Sequence, residues 1–191
     1  MRVDGAARSI HSGLVALPWR PSYLAAMWIL CGELRSLYAA WIEDDEVLLM
    51  ASTMDVVREV VIAGESPQTA VRAWELAAVW DPVIDEREPG APEGLLLLNV
   101  LGIFQSLALE IAEPGGGRYD SANWVPNAVE DRWRDLDDQG PVYLDPDEPV
   151  DDSSPLAQTL ARFGRVISGV AAWQGPDWDP MRIRAQVLDQ Q

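Results

Sequence analysis

The stretch "GLLLLNVLGIFQSLALEIA", Gly94 to Ala112, is apolar on nearly every side when wound at about 3.6 residues per turn. A segment of that kind needs neighbours all round it, so the rest of the chain must supply elements that wrap it. The other segments offer amphipathic helices. Leu24, Met27, Trp28, Cys31, Leu34, Tyr38 and Trp41 recur at spacings of three and four, and Leu49, Met50, Met54, Val57, Val60 and Val61 repeat the pattern, with Gly64 placed to end that helix.

Helix starts share one form, a capping residue followed by proline, at Ser66-Pro67, Ser154-Pro155 and Asp179-Pro180; Pro21 and Pro92 are weaker starts. Proline costs nothing at the first helical position, where its missing N–H would have no intrahelical partner. These signals place helices at about 21–42, 45–63, 67–80, 93–112, 125–137, 155–174 and 180–189. Period-2 alternation is confined to "PVYL" at 141–144. The expected fold is therefore all-α, a bundle of about six or seven helices around the apolar helix 93–112. Residues 1–20 are expected to form a flexible N-terminal segment, and residues 21–191 one helical domain with an acidic, proline-rich loop at 138–154.

Charge narrows the function classes. The chain has 191 residues and a formal net charge of −17, which disfavours nucleic acid or an anionic membrane as partner and favours a basic protein. Its 14 basic residues are all arginine, so mechanisms that need a lysine nucleophile, Schiff base or phosphate-loop lysine are excluded. The longest apolar run, Leu95 to Phe104, is interrupted by Asn99 and Gly102 and is far short of the roughly 20 residues a membrane span requires. The first 20 residues lack the apolar core of a signal peptide, and one cysteine, Cys31, cannot form an internal disulfide. A soluble cytoplasmic protein is expected.

Little catalytic equipment remains. The single histidine, His11, falls in the segment expected to be mobile, which removes histidine-rich zinc and di-iron sites. Cys31 sits on an apolar helix face, where cysteine behaves as a small buried hydrophobe. Gly115, Gly116 and Gly117 follow a helix rather than a strand, so they are a flexible connection and not a phosphate cradle, and Arg118 is expected to be solvated. Among glutamates in apolar surroundings, Glu33 and Glu75 are expected to be rim residues or ion-pair members, with Arg72 three residues before Glu75. Glu110 stands apart because no arginine lies within four positions of it.

The segment "DLDDQGPVYLDPDEPVDD" carries eight carboxylates, Asp135, Asp137, Asp138, Asp145, Asp147, Glu148, Asp151 and Asp152, and no basic residue. An EF-hand aligned at Asp135 would place Pro146 where the bidentate glutamate belongs and Pro141 directly after Gly140, so a calcium loop is not expected. A solvated acidic loop or a surface for a basic partner remains. Trp28, Trp41, Trp74, Trp80 and Trp173 fall on helical apolar faces and are expected in the core. Trp124, Trp133 and Trp178 lie beside acidic residues and could join the loop in recognising arginine and lysine.

Helix 21–42 carries Leu30-Cys31, Tyr38-Ala39 and Trp41, with Trp19 upstream, and resembles the corresponding helix of the YjaG-like family of small all-helical bacterial proteins. The order of "WDPVIDE" and the long apolar helix after it is also similar. The resemblance implies a helical fold and no activity.

The leading expectation is a non-catalytic binding protein, with no cofactor, that neutralises a basic protein as small immunity proteins and antitoxins do. One alternative is a magnesium-dependent all-α nucleotide phosphohydrolase using Glu43, Glu46, Asp55 and Glu59, since "EDDE" faintly resembles half of that family's carboxylate motif. Another is a homo-oligomeric structural protein, as a homodimer for example.

Overall fold

Where the sequence pairs a capping residue with proline, a helix begins. The computed structural model describes residues 3–86, 92–113, 119–134 and 153–188. Ser66 Oγ accepts from the Thr69 N–H at 3.1 Å to start α4 (Pro67–Glu86). Ser154 Oγ accepts from Ala157 at the same distance to start α7 (Pro155–Ala171). Asp179 Oδ1 accepts from Met181 at 3.2 Å to start α8 (Pro180–Leu188). Each cap satisfies a donor that the first turn leaves without a partner.

The remaining helices are α1 (Val3–Ala16), α2 (Leu24–Leu37), α3 (Asp44–Ala63), α5 (Pro92–Ala112) and α6 (Asp120–Arg134). A kinked turn, Trp19–Tyr23, with Arg20 in extended backbone, leads into α2. All regular structure among the described residues is helical, and the buried side chains form one continuous core. The fold is thus an all-α, single-domain bundle. No helix among the described residues is long and apolar enough to cross a membrane.

The N-terminal segment differs from expectation. Instead of flexible chain it forms α1, and Ile10, Leu14 and Leu17 are buried where that helix packs on α6 and α7. Their spacing of four and then three gives one apolar side, hidden in a composition rich in glycine, serine and alanine. His11 lies within this helix, half-buried.

Two helices share the centre. The expected one, α5, packs most extensively on α4 and α6. The other is α2, which touches α3, α5, α6, α7 and α8 and buries Leu24 to Met27, Ile29 to Cys31 and Leu34. It ends at Leu37 rather than 42, because Tyr38 leaves helical geometry as the C-cap while its ring stays buried and its hydroxyl donates to the Ala128 carbonyl of α6.

Helix α4 continues past Trp80 to Glu86 despite Pro82, and Val83 and Ile84 beyond the proline still pack on the core. Helix α6 starts at Asp120 rather than 125 and contains Pro126. Gly64, at φ 89°, closes α3 in a backbone region that side chains rarely adopt. The segment 138–154 of the acidic loop, save Ser153 and Ser154, lies outside the described residues, as do "PVYL" and Gly115 to Arg118.

Candidate functional site

The carboxylates proposed from sequence for partner binding, Asp135, Asp137, Asp138, Asp145, Asp147, Glu148, Asp151 and Asp152, all fall outside the described residues. Of the three tryptophans grouped with them, Trp133 lies near the end of α6. Trp124, on the same helix, is 41% exposed. Trp178 is half-buried and packs on the core just before α8, so it offers less free surface than its acidic neighbours suggested.

The alternative metal set is not brought together. Glu46 is buried and its Oε2 accepts from the Glu43 N–H at 2.9 Å, which spends both residues on starting α3. With Asp44, Asp45 and Glu46 in the first turn, the "EDDE" cluster lies against the positive end of the helix dipole. Asp55 is exposed further along α3, and Glu59 pairs with Arg72 of α4. No group of three or more potential metal ligands forms among the described residues.

That Glu59–Arg72 pair also takes away the partner expected for Glu75, which is exposed. Glu33 is an ion-pair member as expected, but with partners from distant helices. Arg162 Nε of α7 lies 2.8 Å from one carboxylate oxygen and Arg184 Nη2 of α8 3.1 Å from the other, tying three helices together beside an open groove of about 440 Å³. With both arginines about 40% exposed, these ion pairs add little stability.

Trp74 corrects the sequence assignment most sharply. Placed in the core by periodicity, it is instead 59% exposed on the outer side of α4, with Val71 at 58% and Val79 at 50%. Ala73, Ala77 and Trp80 form the buried side of the same helix. Trp80 donates from Nε1 to Thr53 Oγ1 at 3.1 Å and its ring lies 6.0 Å from that of Phe104. Trp28, Trp41 and Trp173 are half-buried against the core. The exposed charges of α4 are Arg72, paired with Glu59, next to Trp74, then Glu75 and, further along the helix, Asp81, Asp85 and Glu86. The sequence signal was the presence of apolar residues on both sides of one helix, which a single buried side does not need.

Glu110 is a different kind of site. It is 4% exposed within the core, on α5. Tyr119, in left-handed backbone at φ 53°, turns the chain into α6 so that Ser121 faces the carboxylate. The Ser121 N–H donates to Oε1 at 2.8 Å and its hydroxyl to Oε2 at 2.9 Å. The Tyr23 hydroxyl lies 2.6 Å from Ser121 Oγ, extending the network to the kinked turn before α2. Burial pushes the Glu110 carboxyl up to about 7, although both Ser121 donors pull the other way. Burial, aided by the Glu110 charge, also raises the Tyr23 hydroxyl and the Cys31 thiol well above their ordinary values.

Chemically this cluster holds a proton within the neutral range, but both Glu110 oxygens are engaged and no open face is presented to a substrate. Cys31 is buried, and the upward push on its thiol disfavours the reactive thiolate. The grooves along α1–α7 and α2–α7 are lined by other residues. The cluster joins α5, α6 and the entry to α2. Only the isolation of Glu110 from arginine was visible beforehand.

Comparison with protein-family models, with curated proteins and with solved structures finds no match for this chain.

Proposed function

We propose that the chain is a non-catalytic, acidic helical protein that binds and neutralises a basic protein partner, in the manner of small immunity proteins and antitoxins. The observation that carries this is the net charge of −17 in a sequence without lysine. A field of that size attracts basic surfaces and repels nucleic acid and acidic membranes. Exposed aromatic groups beside carboxylates, with Trp124 on α6 as one case, supply the apolar component that a charge field alone lacks. The carboxylates weighed for magnesium are occupied in starting α3 or dispersed along it, which does not support that alternative.

Association should be electrostatically steered. Recovery of bound proteins from the source cells, followed by stopped-flow measurement with the purified partner, is expected to yield a basic protein whose association rate falls at least about tenfold as salt rises from roughly 0.05 to 0.5 M. A set of partners without a basic protein, or a rate indifferent to salt, overturns the proposal.

A further inference from the structure

We propose that the outer side of α4, centred on Trp74, is where the basic partner docks, and that the docking element is a segment combining apolar side chains with arginine or lysine. This rests on the preceding functional reading and names its surface. Val71 and Trp74, one helical turn apart, are exposed, and Val79 is exposed further round the helix, while Ala73, Ala77 and Trp80 are buried. A folded chain gains nothing by holding a large aromatic ring and two β-branched side chains in water, and such clusters mark interaction sites more often than chance exposure.

Charge complementarity selects the occupant. Glu75, Asp85 and Glu86 are exposed on the same helix, and its one arginine, Arg72, is turned to Glu59 of α3. The exposed part of α4 therefore combines large apolar side chains with an excess of carboxylates. A second copy of this chain would bring like charge against it, whereas a basic amphipathic segment meets both features at once. Tryptophan suits that role, because an arginine or lysine can stack on the ring while its stem covers apolar surface. Trp124, on α6, is the competing candidate and serves as the internal control.

The probe is a synthetic amphipathic helical peptide of leucine and lysine, with oligolysine of equal charge as control, titrated calorimetrically into the full chain. Binding of the leucine–lysine peptide, weakened at least about tenfold by Trp74→Ser, partly retained in Trp74→Phe and unchanged by Trp124→Ser, is the expected result. Circular dichroism identifies any variant that has lost its fold, and Trp74→Phe then carries the comparison. Binding that ignores Trp74 but falls with Trp124→Ser, or that oligolysine reproduces fully, overturns the α4 surface and leaves the acidic-binding function standing. Absence of peptide binding overturns both. A parent protein that sediments as a dimer and is made monomeric by Trp74→Ser assigns the surface to self-association and overturns the basic occupant.

Discussion

Glu110 and Trp74 both invert the usual placement of side chains, and they do so on different terms. At Glu110 a carboxylate lies inside the core; at Trp74 a large aromatic ring lies outside it. The buried carboxylate is compensated locally, since Ser121 supplies two donors and Tyr23 continues the network. Nothing within α4 compensates the exposed ring. An inversion satisfied from within points to architecture, whereas one left open points outward to another molecule.

The sharpest way to break the comparison uses the two tryptophans of α4. Trp80→Ala removes a fully buried ring packed beside Phe104 and hydrogen-bonded to Thr53. Chemical denaturation should show a loss of about 3–5 kcal/mol. A loss under about 1 kcal/mol would mean that α4 is not anchored by this side.

Glu110 provides the next largest effect. Its carboxyl is raised from 4.5 to about 7 in the folded chain, so between those values the folded protein keeps a proton that the unfolded chain has released. The contribution of this group to stability is therefore best below pH 4.5, declines as pH rises towards 7, and stays diminished above it. Glu110→Gln, which imitates the protonated form, should remove that decline. Relative to the parent it should gain about 3 kcal/mol between pH 4 and pH 8. Parallel stability curves for parent and variant would contradict the buried-proton account.

The smallest effect falls on the exposed ring. Trp74→Ser should change stability by no more than about 0.5 kcal/mol, because few packing contacts are lost. Together with the calorimetric loss expected above, an unchanged melting curve would separate a binding role from a structural one. A destabilisation approaching that of Trp80→Ala would erase the contrast between the two sides of α4.

These residues also show where sequence reasoning stops. Ser66, Ser154 and Asp179 announced their helices because capping is a short-range transaction between neighbours. Periodicity could not choose between Trp74 and Trp80, since α4 is apolar on two sides and the choice belongs to whichever surface α5 covers. Glu110 was conspicuous for lacking an arginine, but its partner Ser121 depends on how Tyr119 turns the chain into α6, and Tyr23 arrives from much earlier in sequence. In α1 and just after it, Ile10, Leu14 and Leu17 were too sparse among small and polar residues to signal a buried helix, although tertiary packing on α7 suffices to hold one.

Cys31 turns this architecture into a built-in gauge. The chain's one thiol is sealed in α2, beside the helix pair that Glu110 and Ser121 join, and burial pushes it well above its ordinary value. A thiol-directed dye can reach it only when the bundle parts at its centre. The pace of labelling therefore clocks that opening, with no engineered probe and no second sulfhydryl to confuse the signal.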